Sequence, residues 1–127
     1  ADVVSPWAVG RYSTIAGAQN DARVYVKADL AWCSQKGLTL MPVIFPGSAG
    51  KSTSKWKNPS NPGPYDQIPR KQNGTYFLQE QGKEVVAVGT KTIYVAMFDE
   101  MNEGTAIFKC TQKPPSLPDG LKFVNYA

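Results

Sequence analysis

Residues 38–45 read LTLMPVIF and residues 92–98 read TIYVAMF. Both runs are nearly continuous in apolar residues rather than alternating. Strands buried on both faces read this way, and such strands are typical of parallel sheets. A third run, VVSPWAVG at 3–10, precedes them. Pro6 and Pro42 interrupt the pairing, because proline cannot donate to a ladder. Between the first two runs the spacing predicts a helix over 14–36, with Ser13 as N-cap and Gly37 as C-terminal stop. Ala18, Ala22, Tyr25, Val26, Asp29, Trp32 and Cys33 fall on one stripe, which puts Trp32 in the core. A second helix is predicted over 76–88, with Phe77, Leu78, Val85 and Val88 at helical spacing and Gly89 after it. Gly82 in its interior costs about 1 kcal/mol relative to alanine. The order is βαβαβ, an α/β domain with a mostly parallel sheet and right-handed crossovers. Two short strands, Ala106–Lys109 and Leu121–Asn125, are expected in the proline-broken tail.

The length of 127 residues fits a single domain, 1–127. With 42% hydrophobic and 19% charged residues, the chain can build a core and is not a disordered segment. No apolar run reaches the ~20 residues of a membrane-spanning helix, so membrane insertion is not expected. The absence of histidine removes the commonest zinc ligand, the Ser-His-Asp and Cys-His nucleophile pairs and any His–His ribonuclease mechanism. A net charge of +4 permits weak attraction to phosphates without demanding it. The start at Ala1-Asp2 is that expected of a mature secreted protein. Asn73-Gly74-Thr75 is an N-glycosylation sequon, whereas Asn58-Pro59-Ser60 is blocked by its proline. Cys33 and Cys110 suffice for one disulfide, worth up to ~4 kcal/mol in the chain-entropy model, or for two buried free thiols.

In open α/β sheets ligands gather beyond the carboxyl ends of the strands. Here those positions are Gly10-Arg11-Tyr12, Phe45-Pro46-Gly47 and the segment from Phe98 to Gly104. The last places Asp99, Glu100 and Glu103 together at the end of a buried strand. Such carboxylates can accept sugar hydroxyls, act as an acid/base pair on a glycosidic bond, or form an acidic turn paired with Arg11 or a lysine. No Asp-x-Asp-x-Asp-Gly loop accompanies them, so neither a metal nor another cofactor is expected. Aromatic faces stack on the C–H faces of sugar rings. Trp7 is either core or site-lining, while Trp56 and Tyr65 sit in the long connection 46–72, which lacks apolar periodicity. That loop is rich in Lys51, Lys55, Lys57, Arg70 and Lys71, so it could also track a phosphate backbone, or simply be solvated. No Gly-rich phosphate cradle or common nucleic-acid motif is present, so a nucleic-acid partner is possible but not favoured.

Several motifs occur in register: Ser5-Pro6-Trp7-Ala8-Val9-Gly10-Arg11-Tyr12, Met41-Pro42-Val43-Ile44-Phe45-Pro46-Gly47, Asp66-Gln67-Ile68-Pro69-Arg70 and Tyr94-Val95-Ala96-Met97-Phe98-Asp99-Glu100. Together they resemble the C-terminal half of proteins similar to glycoside hydrolase families 71 and 99. The segment from Glu100 to Thr105 is similar to the Glu-x-x-Glu-Gly-Thr motif of family 99 endo-α-mannosidases, so the resemblance implies Glu100 and Glu103 as the catalytic pair of any hydrolase. Met101 and Asn102 stand where tryptophan and histidine often lie in that motif. Those hydrolases are whole (β/α)8 barrels of ~250 residues or more, and this chain supplies only part of one. Its short length, basic charge and lack of histidine also resemble small secreted mushroom lectins. That resemblance implies an αβα sandwich whose sheet continues across a homodimer. It further implies binding to N-glycan-type oligosaccharides on cell-surface glycoproteins without hydrolysis, in a defence or cytotoxic role. The glycan-binding set so expected is Trp7, Arg11, Tyr12, Asp99, Glu100, Glu103, Trp56 and Tyr65, with no catalytic residue. The alternatives are a glycoside hydrolase using Glu100 and Glu103, or a basic RNA-binding or ribonuclease protein using the 46–72 loop.

Overall fold

A computed structural model describes residues 1–48, 68–100 and 105–107. Along the chain run β1 (Val3–Val4), α1 (Ile15–Asp21), a π-helical turn (Ala22–Val26), α2 (Lys27–Gln35), β2 (Thr39–Leu40), β3 (Val43–Ile44), β4 (Lys71–Gln72), β5 (Thr75–Tyr76), α3 (Phe77–Ala87) and β6 (Tyr94–Val95). The α/β order read from the sequence is present, and the pairs β1–β2 and β3–β6 are both parallel. The run 38–45 therefore lies between the other two. Its first half bonds to β1, with Met41 N–H donating to the Val4 carbonyl at 2.8 Å. Its second half bonds to β6, with Ala96 N–H donating to the Ile44 carbonyl at 2.8 Å. Pro42 sits where the pairing changes partner, and its carbonyl still accepts from Tyr94 N–H at 3.0 Å. A proline is tolerated at the first position of a paired segment, where one ladder bond is forgone.

The predicted strands are shorter than expected, two residues each by ladder geometry. Burial on both faces holds for Val43, Ile44 and Phe45 but not for the runs as wholes, since Val3, Thr39 and Tyr94 are exposed. The reason lies in the helices. Val4, Leu40, Ile44 and Val95 pack with Ala22, Val26 and Cys33 of the first helical segment and with Val85 of α3. The alternate residues Val43, Phe45 and Ala96 pack with Ala18 of the first helical segment and Phe77 of α3, so the helices reach both sets of side chains in the central run, whereas Val3, Thr39 and Tyr94 lie outside both clusters.

The first helix runs unbroken from α1 through the π turn into α2. Thr14, not Ser13, is its N-cap: the Thr14 hydroxyl accepts from Gly17 N–H at 3.0 Å. Its end is a Schellman motif, with Gly37 at φ 67, Leu38 N–H on the Cys33 carbonyl at 2.9 Å and Gly37 N–H on the Ser34 carbonyl at 3.2 Å. α3 ends the same way around Gly89 at φ 105. The expectation that Trp32 is core is overturned, because its side chain is exposed. Burial centres on Ala22, Val26 and Cys33, and Trp32 lies one residue, about 100° of helix rotation, before Cys33. Cys33 carries a free thiol that is wholly buried, and Cys110 lies outside the described residues.

The end of the long connection is not irregular. β4 and β5 form a hairpin whose two turn residues, Asn73 and Gly74, have φ 50 and 84. Asn-Gly is the preferred pair for a two-residue hairpin turn with positive φ at both positions. Of the tail strand expected over Ala106–Lys109, Ala106 and Ile107 are described and neither is in a strand, while Leu121–Asn125 lies outside the described residues.

Candidate functional site

Because the strand pairs are parallel, the segments that follow all three runs emerge at one end of the sheet. Their floor is a buried cluster of Ala8, Phe45 and Ala96 with Ala18, Val43, Ile68 and Phe77. Tyr12, Phe45 and Phe77 form a ring triad with centroids 5.4 to 6.0 Å apart. Gln81 of α3, essentially without solvent exposure, holds this floor together. Its Oε1 accepts from Phe45 N–H at 3.1 Å and from the Tyr12 hydroxyl at 3.0 Å. Its Nε2 donates to the Phe45 carbonyl at 2.7 Å and to the Phe77 carbonyl at 3.0 Å. The backbone of Phe45 is thereby satisfied by one side chain, which ends the strand and frees the following residues to turn.

Three loops stand on this floor. In the first, Arg11 N–H closes a turn on the Ala8 carbonyl at 3.0 Å, and Trp7 projects with 57% of its surface exposed. In the second, Gly47 has φ 145 and passes so close to Ile68 that a Cβ there would lie 2.6 Å from the Ile68 carbonyl oxygen. An isolated antiparallel bridge between Ser48 and Ile68 follows it. In the third, Met97 adopts φ 66, a conformation that costs a non-glycine residue roughly 1–2 kcal/mol and is concentrated at functional sites. The turn delivers Phe98, 64% exposed, then exposed Asp99 and part-buried Glu100. The Glu100 carbonyl accepts from buried Thr105, from its N–H at 3.2 Å and its hydroxyl at 3.3 Å, and Ile107 N–H returns to the Phe98 carbonyl at 2.9 Å. Beside the second loop, Pro46, Arg70, Tyr76, Leu78 and Gln79 line a depression of about 300 Å³.

The structure thus brings Trp7, Asp99 and Glu100 to one end of the sheet, with Phe98 added. Two of the expected sugar donors, Tyr12 and Arg11, have partners within the protein. Tyr12 belongs to the floor: its hydroxyl donates to Gln81, and burial, reinforced by Asp21, pushes its pKa well above the ordinary phenol range. Arg11 pairs with Asp21 at 3.4 Å and lies over the Tyr25 ring, 5.4 Å from its centroid. The alternative in which Arg11 neutralises the acidic turn gives way to this pairing. Asp21 is buried, and that burial raises its pKa, with Arg11 opposing the shift and Asp29 adding to it. Glu103, Trp56 and Tyr65 lie outside the described residues, as do Lys51, Lys55 and Lys57 of the basic loop. The remaining basic residues of that loop are engaged, Arg70 with the Ala106 carbonyl and Lys71 over the Tyr76 ring. Asn73 is exposed in its hairpin turn. Among the described residues, no three His, Cys, Asp or Glu side chains come together as a metal site, and no helix is long and apolar enough to cross a membrane.

Sequence reading missed Gln81, Asp21 and Thr105. Gln81 gave one signal, a lone polar residue one turn after Phe77 on the buried side of an amphipathic helix.

No known protein family matches the sequence, and neither does any curated protein. The fold does match solved structures. The glycoside hydrolase family 99 endo-α-mannosidase of Bacteroides thetaiotaomicron superposes with a TM-score of 0.66 at 21% identity, over 98% of this chain and 32% of that one. The same enzyme in complex with bis-tris propane gives a TM-score of 0.63 at 20% identity, over 98% and 34% of the two chains. The chain therefore has the α/β fold of part of a glycosidase, and it spans about a third of the length of the structures it matches.

Proposed function

We propose that this chain is a glycan-binding protein whose site is the carboxyl end of the sheet, with Trp7 stacking on a sugar face and Asp99, Glu100 and Glu103 accepting sugar hydroxyls. The observation that carries the reading is the third loop. A strained residue, Met97, turns Phe98 and Asp99 outward, with part-buried Glu100 next to them, at the sheet end where exposed Trp7 also stands. An aromatic face beside carboxylates suits an amphipathic polyol. The fold shared with endo-α-mannosidases supports the ligand class. In the fuller form of the reading, the chain is a secreted fungal lectin that binds N-glycan-type oligosaccharides on cell-surface glycoproteins in a defence role, without metal. An exposed sequon at Asn73 suits a secreted protein. Two copies join their sheets into a homodimer, which would supply the second helical layer of an αβα sandwich and cover exposed Val3 and Tyr94.

A glycan array tests the reading. Trp7→Ala and Glu100→Gln should each lose signal on the glycans the wild type binds, with circular dichroism unchanged. Binding untouched in both variants would move the site elsewhere. Full binding in excess EDTA is expected. Hydrolysis is the second reading, favoured by the enzymatic nature of the matched structures. Turnover of an α-mannoside abolished by Glu100→Gln would establish it in place of the lectin. Sedimentation equilibrium at micromolar concentration tests the dimer, and a mass near 13.9 kDa would remove it.

A further inference from the structure

The first helix carries a second aromatic feature. Tyr25 and Trp32 are 53% and 51% exposed, although each lies within two residues of a buried one. They are two helical turns apart, a separation of about 10 Å along the axis, and so project from the same flank. The exposed residue between them on that flank is Ala28, so the two rings bound a notch with a small floor. One rim is polar. Arg11 lies over the Tyr25 ring, and Asp29 lies one turn beyond Tyr25. Arg11, Asp21, Asp29 and Pro6 line a narrow cleft that runs inward from this rim, with room for about one water at 10 Å³. The π turn that ends at Val26 contains Tyr25, and such turns recur at functional sites.

We propose that this flank is a second carbohydrate subsite, distinct from the strand ends, taking a neutral oligosaccharide of at least two pyranose rings. Tyr25 and Trp32 would each stack on one ring, Asp29 would accept a hydroxyl proton and Arg11 would donate to a ring or glycosidic oxygen. The charges choose the ligand class. A polyanion such as RNA would meet the carboxylate of Asp29, and a basic peptide would meet Arg11. A neutral polyol uses both the donors and the acceptors. The proposal goes beyond the strand-end site and shares with it only the class of ligand.

The test is a titration of the full ¹⁵N-labelled chain with chitotriose, mannotriose and lactose in turn, read at the indole N–H signals of Trp7 and Trp32. The Trp32 signal should shift and saturate with at least one of these sugars. That affinity should fall about tenfold in Tyr25→Ala, the worth of one stacking contact, and should recover in Tyr25→Phe. It should persist in Trp7→Ala, which disables only the strand-end site. A Trp7 response without a Trp32 response overturns this proposal and leaves the strand-end reading standing. A Trp32 response without one at Trp7 does the reverse. A Trp32 signal that moves with protein concentration and not with sugar assigns the flank to a second copy of the chain and overturns the subsite.

Discussion

The sheet has two apolar clusters beneath it, and they are held together differently. The cluster of Ala22, Val26, Cys33, Leu40, Ile44 and Val85 is apolar throughout and is built from continuous helix, its π turn included, and paired strand. The cluster of Ala8, Phe45, Ile68, Phe77 and Ala96 is closed by a polar side chain, Gln81, and is bordered by two backbone conformations that ordinary side chains avoid, at Gly47 and Met97. In the first, burial and hydrogen bonding are separate tasks, shared between side chains and ladders. In the second, one glutamine carries the backbone bonds of the strand end, so that the chain can leave the ladder and present loops. The irregular cluster is the one that bears the candidate site. This is the usual consequence of putting a binding surface where regular pairing must stop.

The sharpest way to break the contrast is to remove Gln81. Gln81→Leu keeps the volume but leaves the buried Phe45 N–H, the Phe45 carbonyl and the Tyr12 hydroxyl without this partner. A loss of about 3 kcal/mol or more is expected from groups left unsatisfied there. Val85→Ala in the other cluster should cost about 1–3 kcal/mol through its cavity alone. Urea denaturation of both variants checks the order. A milder Gln81→Leu than Val85→Ala would mean that the polar closure is incidental.

Gly47→Ala should come next. The added Cβ would meet the Ile68 carbonyl oxygen, which is backbone and cannot swing aside, and the residue would keep a φ that alanine rarely adopts. A loss of about 2 kcal/mol is expected, in the range for strained special positions. Glycan binding should fall with it, since the second loop would shift. A variant of unchanged thermal midpoint would show that the loop is free to relax.

A smaller effect should separate the clusters by pH. Asp21 lies beside the ring triad's Tyr12 and pairs with Arg11, and its folded-state pKa is raised, chiefly by burial. A raised pKa means that the folded state holds this proton more tightly than the unfolded state does. The associated stability is complete below the ordinary carboxylate value and is lost as pH rises through the folded pKa. Asp21→Asn cannot titrate, so wild type should gain stability relative to this variant as pH falls from 7 toward about 4. Denaturant midpoints of the two proteins across that range provide the check. Parallel curves would show that Arg11 fully offsets the burial.

The same contrast explains what was legible in the sequence. The α/β order and the stops at Gly37 and Gly89 follow from periodicity and from the chemistry of glycine, and both appear in the structure. The strand-end location of Trp7, Asp99 and Glu100 follows from parallel topology. The roles of Arg11 and Tyr12 did not follow, because both depend on long-range partners. Asp21 lies on the far side of a turn and Gln81 on a different helix. Trp32 borders the buried stripe without belonging to it, because burial follows Ala22, Val26 and Cys33 and a π turn within the helix changes which residues share a face. The hairpin at Asn73-Gly74 follows from its turn pair, but that pair falls between the connection 46–72 and the helix expected over 76–88, where it reads as a glycosylation sequon.

The smallest expected effect sharpens the comparison from the regular side. Gly82 lies within α3, one residue after Gln81, where it serves no turn and has no positive φ. The atom nearest to an added Cβ would be Ile44 Cδ1 at 3.9 Å, an ordinary van der Waals contact. Gly82→Ala therefore adds a contact to the apolar cluster and removes the conformational freedom that glycine has in the unfolded chain. A gain of about 0.5–1 kcal/mol is expected. If α3 only fills the core, glycan affinity should not change, and a thermal midpoint a few degrees higher should be the sole result. If the helix must flex at Gly82 for Gln81 to hold Phe45, the variant will gain stability and lose affinity together. That coupling would show that the two clusters, though built differently, act as one unit through α3.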